Sequence, residues 1–530
     1  MRRARAYDYV IVGAGSAGCV LASRLTEDRT TTVLLLEAGA ADRKPTIHMP
    51  AAFSTLFKSP YDWAYHTTPQ PHLHQRSLFW PRGKVLGGSS SMNAMIYTRG
   101  HRHDYDRWRD LGNEGWSFSD VLPYFKRSEH QERGASEYHG VDGPLNVADL
   151  GSRNPLSEAF VAAGLEVGLR NNHDFNGPRQ DGVGFFQVTQ KHGKRHSAAT
   201  AFLHPARGRG NLTVRTHTCV SRLLFDNARV TGVLAVEDGR AHPIHVNREV
   251  ILCAGVVNSP HLLLRSGIGP ADHLKAMGIA VVVNLPGVGH NLQDHLVAGV
   301  TYACTQPVTM MGAGTVGEVL RYLLFKTGPL TSNIAEAGGF LNTTAEIPAP
   351  DLQLFFAPVF YVNHGLTRHE GHGFSILASF LRPQSHGCIT LAANSPFEPP
   401  SIQPDYLSCQ GDLLALVEGV KLCRRLGQAK AFDRFRGAEV YPGRAAQSDQ
   451  ALVEYIRSMA ESCYHPVGTC KMGDDPMAVV DPRLRVHGVT GLRVADASIM
   501  PTIVGGTTNA PTIMIAEKAA DLLKEDPVCH

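Results

Sequence analysis

The chain opens with short apolar runs separated by a segment of helical periodicity. Residues 9–12 form an uninterrupted apolar run, which indicates a buried strand. In the next segment, apolar residues recur at helical spacing, at Ala17, Val20, Leu21 and Leu25. A second apolar run covers residues 32–36. The pattern therefore predicts a strand, a helix and a second strand at the start of the chain.

Further elements are predicted along the rest of the chain. From residue 250 a buried strand runs to Gly255. We expect a helix to follow, with Ser259 as N-cap and Pro260 as its first residue. Between Thr301 and Ser462 the pattern shifts to strand-like runs, which are 352–357, 374–381 and 388–391. A long amphipathic helix follows over 412–426. A strand over 492–494 and a helix that begins at Pro511 close the pattern.

Length, charge and cysteine spacing narrow the class of protein. The 530 residues suffice for two domains or one very large one, and the formal charge of +3 with 51 scattered Lys and Arg residues argues against nucleic acid as a partner. No apolar run approaches the roughly 18 residues of a membrane span, and the first strand leaves no room for a signal peptide, so we expect a cytoplasmic protein. The ten cysteines include no CxxC pair, which favours reduced thiols over disulfides or a metal site.

The turn after the first strand carries the first chemical signal. Gly13, Gly15 and Gly18 have the spacing of a dinucleotide-binding turn, in which they allow a sharp bend, a close approach to pyrophosphate and tight helix packing. The following helix would present its N–H groups to the phosphates. Glu37, about 20 residues further on, would accept hydrogen bonds from the adenosine ribose. A structural glycine turn is the alternative, but both strands, the helix and the acid favour nucleotide binding.

A second glycine-rich segment follows at residues 81–93. Gly87, Gly88 and the three serines after them describe a backbone loop that lies flush against something flat or anionic. A flexible linker is the alternative interpretation. A linker would not be flanked by the apolar pairs at 85–86 and 95–96, so we favour the binding loop.

These segments together resemble the glucose–methanol–choline (GMC) oxidoreductases. The resemblance rests on residues 81–93, on 250–260, on Asn291 to His295, on Gly328 to Leu330 and on Tyr464 to Pro466 with the block 505–512, in the order of the family. It implies an α/β (α+β) fold with a Rossmann-like FAD-binding domain and a second substrate domain built on an antiparallel sheet. The implied FAD-binding domain comprises 1–155, 196–300 and 462–530, and the implied substrate domain 156–195 and 301–461.

The resemblance also implies the residues that bind FAD. They are Gly13, Gly15, Ser16, Ala17, Glu37, Ala38, Val85, Gly88, Asn93, Ala94, Met95, Val220, Asp496, Ala497, Asn509, Pro511 and Thr512. Some family members attach the flavin covalently through a histidine in the loop after Gly88, where this chain has Met92. Because a thioether cannot form that bond, we expect non-covalent FAD.

Oxidation of an alcohol requires a base for the hydroxyl proton and a donor for the developing alkoxide. His465 suits the first role because the pKa of histidine lies near neutrality, and the Asn509 amide suits the second because it does not titrate. His–Asn is one of the two catalytic pairs usual in the family. His465 could instead be an ordinary core or surface histidine, and Asn509 a helix N-cap. Cys463 and Tyr464 are expected to border the same space.

The sequence thus predicts oxidation of a primary alcohol to the aldehyde, with hydride transfer to flavin N5 and a quinone-like acceptor or oxygen as the reoxidant. Choline-like, aliphatic and aromatic alcohols remain open. Glu336 is a candidate pocket carboxylate or a capping residue, and Phe355, Phe356, Phe360 and Tyr361 are candidates for an apolar cavity or for the core. A lyase or photodecarboxylase that shares the fold is the alternative function. A pyridine-nucleotide reductase would need a second fingerprint, which the chain lacks.

Overall fold

The computed structural model describes residues 7–344, 346–367, 369–395 and 397–526. Its strands in chain order are β1 Tyr7–Val12, β2 Val33–Leu36, β3 Tyr65–His66, β4 Phe79–Trp80, β5 Glu129–Gln131, β6 Leu145–Val147, β7 Gly182–Phe185, β8 Gln190–Lys191, β9 Lys194–Arg195, β10 Leu212–Arg215, β11 Thr218–Asp226, β12 Arg229–Glu237, β13 Arg240–Leu252, β14 Ile268–Gly269, β15 Val283–Asn284, β16 Leu296–Cys304, β17 Ala337–Leu341, β18 Leu352–Ala357, β19 Gly373–Phe380, β20 Cys388–Thr390, β21 Ser401–Gln403, β22 Arg436–Tyr441, β23 Glu461–Ser462 and β24 Leu492–Val494.

The α-helices are α1 Ser16–Leu25, α2 Pro45–His48, α3 Arg102–Asp110, α4 Phe118–Ser128, α5 Pro155–Glu166, α6 His204–Ala206, α7 Gly255–Arg265, α8 Ala271–Ala276, α9 Val316–Phe325, α10 Gln410–Gly427, α11 Asp449–Met459 and α12 Asn509–Glu525. Short 3₁₀ turns lie at Pro50–Leu56, Pro71–Leu73, Gly88–Ser91, Met310–Gly312, Pro329–Thr331, Lys430–Phe432 and Ala497–Ile499, and a π turn at Ala199–Leu203. Within the described residues, no helix combines the length and the apolarity that a membrane crossing requires.

The first sheet has parallel strands in the order β10-β2-β1-β13, with β24 on the other side of β13. The first half of the long strand β13 also pairs antiparallel with β12, which continues to β11. Strands β1 and β2 are almost wholly buried, as their continuous apolar runs require. The strand–helix–strand start predicted from the sequence is confirmed.

The second sheet is antiparallel, in the order β22-β16-β19-β18-β17-β7, with β23 also on β16. Helix α10 packs on this sheet through the apolar face that its periodicity predicted. The α/β fold with an added antiparallel sheet is therefore confirmed. The domain boundaries stay a prediction; β16 begins at Leu296, a few residues before the predicted start of the substrate domain.

Helix α7 begins at Gly255, so the prediction that Ser259 caps it and Pro260 is its first residue was wrong. The Gly255 N–H donates to Asp496 Oδ2 at 2.8 Å, and the Ser259 hydroxyl donates to the same oxygen at 2.6 Å. The cap is thus a carboxylate from a distant part of the chain. Local sequence could not reveal it.

Proline inside α7 leaves one helix carbonyl without its usual donor. Pro260 has no N–H to offer the Val256 carbonyl four residues earlier, and the Thr469 hydroxyl donates to that carbonyl at 2.7 Å instead. This bond ties α7 to the segment that follows His465.

Helix α12 begins at Asn509 and not at Pro511. Thr508 holds the N-cap position, without a side-chain hydrogen bond, so the interpretation of Asn509 as an N-cap was also wrong. The first turn still contains Pro511, which lacks an N–H where none is needed.

Candidate active site

A cavity of about 1140 Å³ lies where the two sheets face each other. Gly13 follows β1, Glu37 follows β2, Gly255 lies just beyond β13 and Asp496 just beyond β24, and all four line it. The cavity therefore opens at the carboxyl ends of the parallel strands, which is where open α/β sheets bind their ligands.

Most of the residues predicted to bind the cofactor line this cavity. They are Gly13, Gly15, Ser16, Ala17, Glu37, Ala38, Gly88, Asn93, Ala94, Met95, Val220, Asp496, Ala497, Asn509 and Thr512. Val85 and Pro511 do not. Val85 packs beneath the loop with Ile47, Leu56 and Met92, and Pro511 is buried within the first turn of α12.

Two helix N-termini face the cavity without side-chain caps. The N-cap residue of α1 is Gly15 and that of α12 is Thr508, and neither first turn contains an acidic residue. Their backbone N–H groups and positive dipole ends are therefore available to an anion.

The loop at Gly88 touches the first glycine turn. A Cβ at Gly88, where φ is +53°, would lie 2.7 Å from the Cα of Gly15. The following serines are mostly buried, and Ser90 Oγ accepts a hydrogen bond from the Ala198 N–H at 3.0 Å. A fixed loop of this kind is not a linker, so that alternative was wrong.

The Glu37 carboxylate is buried at the end of β2. It accepts hydrogen bonds from the N–H groups of Ala14 at 3.0 Å and Gly39 at 2.8 Å, and burial raises its pKa to about 7. Each oxygen keeps a lone pair for a further donor. The residue is thus placed to accept a ribose hydroxyl, and its predicted role stays a prediction.

These features fit FAD. The uncapped N-terminus of α1 suits a pyrophosphate, and the uncapped N-terminus of α12 suits the electron-rich end of a flavin. The close contact between Gly88 and Gly15 leaves no side chain between the two turns that would have to cradle the cofactor.

His465 lies on the wall of the same cavity, in contact with His295. The two Nδ1 atoms are 3.0 Å apart, and His295 Nε2 is 3.1 Å from the Leu381 carbonyl oxygen. Because a carbonyl only accepts, His295 Nε2 carries the hydrogen and Nδ1 of the neutral ring is bare. His465 must then donate from Nδ1. Its Nε2, which has no hydrogen-bond partner among the described residues, keeps the lone pair that a base requires.

Both imidazoles are neutral at neutral pH. Burial lowers the pKa of His295 to about 4. Burial, the His295 ring and then the Arg82 guanidinium lower the pKa of His465 well below its ordinary value of 6.5. An isolated core histidine would show the burial but would not line a cavity with its Nε2 unpartnered among the described residues, so the catalytic interpretation gains support.

The Asp294 carboxylate fixes the backbone of His465. Its Oδ1 accepts from the His465 N–H at 2.8 Å, and its Oδ2 accepts from Ser462 Oγ at 2.5 Å and from the Tyr406 hydroxyl. Tyr464, just before the base, has a left-handed backbone with φ of +63°. Strain of this kind in a bulky residue persists where the surroundings impose it.

The Asn509 side chain is oriented by α1. Its Oδ1 accepts from the Ser16 hydroxyl at 2.8 Å, and its Nδ2 has no hydrogen-bond partner in the described part of the chain. An amide held in this way presents its donor rather than its acceptor. Asn509 and His465 line one cavity, as the predicted pair requires.

The wall opposite the first sheet is mainly apolar. Its apolar part consists of Val297, Ile334, Ala335, Phe355, Ala357, Val359, Phe360, Tyr361 and Leu377, and His364, Thr367 and His369 add polar groups. Cys463 and Tyr464 border the cavity as predicted, whereas Phe356 lies in the core.

Glu336 does not line the cavity, so its interpretation as a pocket carboxylate was wrong. Its side chain is buried and accepts hydrogen bonds from the Asn154 N–H, the Ser157 hydroxyl and the Ser332 hydroxyl at 2.5–2.8 Å. Burial raises its pKa. It braces the start of α5. Its position just before β17 does not tell from sequence whether the side chain faces the cavity or the neighbouring helix.

Sequence reasoning missed the residues that position the base. Asp294 and His295 stand in a motif that the resemblance included, yet nothing local assigned them a role. Arg82, whose Nη2 donates to the Tyr464 carbonyl at 2.8 Å, was overlooked in the same way. Their contacts to Tyr464 and His465 span 170 or more residues, and only the folded chain brings them together.

The fold and this site define an oxidoreductase of the dinucleotide-binding class. Two sequence profiles of the GMC oxidoreductases match the chain, the N-terminal one over residues 7–297 and the C-terminal one over 383–516. The chain belongs to the GMC oxidoreductase family, whose members are FAD-dependent.

The chain is similar in sequence, over nearly its whole length, to relatives that are named for their activity. It is 47% identical over 529 residues to the alcohol dehydrogenase [acceptor] of Pseudomonas putida, covering 98% of this chain and 95% of that protein. It is 46% identical over 535 residues to the mitochondrial choline dehydrogenase of Mus musculus, covering 98% and 90%. The crystal structure of pyridoxine 4-oxidase from Mesorbium loti superposes with a TM-score of 0.91 at 33% identity, covering 98% of this chain and 100% of that one.

Proposed function

We propose that this protein oxidises a primary alcohol to the aldehyde with FAD. The observation that carries the proposal is the neutral His465, with its bare Nε2 in the same cavity as the Asn509 donor and two uncapped helix N-termini. Alcohol and choline dehydrogenases are among the relatives that match the chain end to end. This favours oxidation over the lyase and photodecarboxylase alternatives.

The residues divide the work between proton and oxygen. His465 Nε2 takes the hydroxyl proton, and its Nδ1–H stays bonded to His295, which holds the ring in place. Asn509 Nδ2 donates to the alkoxide oxygen and steadies its charge. Bound FAD supplies the acceptor for the hydride that leaves the carbinol carbon. The alcohol thus loses one proton to the protein and two electrons with the hydride.

We propose that FAD is held without a covalent bond. Met92 occupies the loop position at which some family members carry the histidine linkage, and its side chain packs with Val85, Ile47 and Leu56. The natural reoxidant, oxygen or a quinone-like acceptor, and the predicted cytoplasmic location are further parts of this proposal.

The cavity favours an uncharged, apolar alcohol over choline. Among the described lining residues the carboxylates are Glu37, Asp496 and the exposed Glu398, and the first two belong to the cofactor side. Beside the base, Arg82 is the charged residue that lines the cavity, and its guanidinium repels a cation. The Asp294 carboxylate contacts the backbone of His465 and does not line the cavity. The opposite wall offers apolar surface instead.

An anaerobic panel of alcohols tests function and substrate class together. We expect bleaching of the oxidised flavin absorbance, with kcat/KM rising roughly 3–4-fold per added methylene of a straight-chain alcohol, since each buried CH₂ contributes about 0.8 kcal/mol. The neutral carbon isostere of choline should be a better substrate than choline. A preference for choline would contradict the substrate class, and a flavin that no alcohol bleaches would contradict the function.

The pH dependence follows from the low pKa of His465. Only the neutral ring accepts a proton, so a lowered pKa moves the loss of activity toward acid. We expect kcat/KM for the alcohol to be level at neutral and mildly alkaline pH and to fall only below pH 6.5, the ordinary value. Stopped-flow reduction across this range measures it. An acid limb centred above that value would show that the pKa of His465 is not lowered when FAD is bound.

A further inference from the structure

Helix α9 exposes nearly all of its large apolar side chains. The exposed fractions run from 51% at Leu320 to 77% at Val316, with Leu323, Leu324 and Phe325 between them. Within α9, whose residues are all described, only Tyr322 is buried. Single exposed apolar residues are ordinary, but five within ten consecutive residues form a patch that marks an interaction site.

The helix is anchored by its inner edge. The Tyr322 ring packs with Ala313 and Leu330, and its hydroxyl donates to the His48 carbonyl at 3.4 Å. The backbone of Gly193, at the tip of the β8–β9 hairpin, lies against the Lys326 carbonyl at the end of α9, where an added Cβ would approach to 2.2 Å. The outer face is therefore held in position, and none of the residues that the structure describes covers it.

The patch continues into the mouth of the active-site cavity. Met311, in the turn that precedes α9, is 57% exposed and lines the cavity. Phe53 lines it as well, from the Pro50–Leu56 turn, whose Ala51 packs against the same apolar cluster as Tyr322. Exposed apolar side chains thus lie both on α9 and, at Met311, on the lining of the cavity.

Basic side chains border the same patch. Lys191 and Lys194 are exposed on the hairpin tip, Arg321 is exposed on α9, and Lys326 ends the helix. The acid on α9 is Glu318, which lies 3.7 Å from Arg321. Apolar side chains with a rim of cations are the combination that inserts at a membrane surface, where the apolar residues enter the acyl boundary and the cations meet anionic headgroups.

We propose that α9 and the β8–β9 hairpin dock this protein onto the surface of a lipid bilayer that contains anionic headgroups, with the cavity mouth toward the membrane. The helix lies in the interface and does not cross it. Apolar alcohols and quinone-like acceptors concentrate in bilayers, so they can pass directly between the acyl region and the cavity. This last consequence rests on the proposed function, whereas the docking does not.

Co-sedimentation with vesicles tests the docking. We expect the FAD-loaded protein to pellet with vesicles of phosphatidylcholine mixed with phosphatidylglycerol and to bind vesicles of phosphatidylcholine alone less. Salt should weaken binding to the mixed vesicles. The double variant Leu324→Glu/Phe325→Glu should partition into the vesicles at least about tenfold less, because it lacks two apolar side chains that would be buried in the acyl boundary. Leu414→Glu is the matched control, since Leu414 is 53% exposed on α10, away from the patch.

Three results would overturn the proposal: no binding of the unaltered protein to the mixed vesicles, undiminished binding of the double variant, or an equal loss in the Leu414→Glu control. Light scattering could give a fourth such result. If the unaltered protein is a dimer and the double variant a monomer, a second copy of the chain covers α9. Retained FAD absorbance shows that the variants are folded. Vesicle binding is measured without turnover, so a protein that docks but oxidises no alcohol would refute the proposed function alone.

Discussion

Replacing His465 by alanine is expected to slow reduction of the bound flavin by an alcohol about 10²–10⁴-fold and to leave FAD in place. The variant removes the Nε2 that we propose as the acceptor of the hydroxyl proton, while the residues predicted to bind FAD lie on other elements. Anaerobic stopped-flow absorbance gives the rate, and the absorbance of the oxidised protein gives the FAD content.

The control is His369→Ala, which removes an imidazole from the same cavity, where it stacks on Phe360 and not on the base. It should reduce at close to the unaltered rate. Near-normal reduction in His465→Ala would show that another group takes the proton.

A pair of variants at His295 separates positioning from packing. His295→Gln offers an amide oxygen that can accept from His465 Nδ1–H, whereas His295→Leu offers none. We expect the Gln variant to keep more of the rate of flavin reduction than the Leu variant. In the Leu variant the His465 ring should lose its preference for one tautomer. Equal losses in both would mean that the contact serves packing only.

Gly88→Ala is expected to weaken FAD binding about 10–100-fold. The new Cβ would lie 2.7 Å from the Cα of Gly15, so one of the two turns must move, and overpacking of this kind costs about 1–3 kcal/mol. Titration of the protein with FAD, followed by flavin fluorescence, measures the change.

Gly112→Ala is the matched control. Gly112 also has a positive φ, of +94°, but an added Cβ would meet nothing within 4 Å. This variant should be strained yet bind FAD normally. If both variants bind FAD equally well, the contact between the two turns does not shape the cofactor site.

The parts of the fold that sequence predicted well depend on local pattern. The apolar runs of β1 and β2 and the period of α1 follow from neighbouring residues, and the structure confirms them. The start of α7 could not be predicted in this way, because Asp496, some 240 residues further along, caps it. Local rules placed the N-cap at Ser259, which has the right side chain but bonds to the same distant carboxylate.

The candidate site divides along the same line. The resemblance to the GMC family, together with residue types suited to the chemistry, pointed to His465 and Asn509, which line one cavity, and the glycine spacing pointed to the turn before α1. Glu336 was misassigned because a carboxylate just before a strand can face either a cavity or the start of a neighbouring helix. His295 was given no role because its role depends on a contact to His465, which lies 170 residues further along the chain.

The bond between Ser16 and Asn509 joins residues 493 positions apart, and β24 is the last strand to enter its sheet. During synthesis the phosphate-binding turn therefore leaves the ribosome long before the residues that complete its surroundings. Domains generally fold as units, so the half-built cavity has to wait with its apolar walls exposed. The cofactor site can therefore be completed only after the segment that carries Asn509 has left the ribosome.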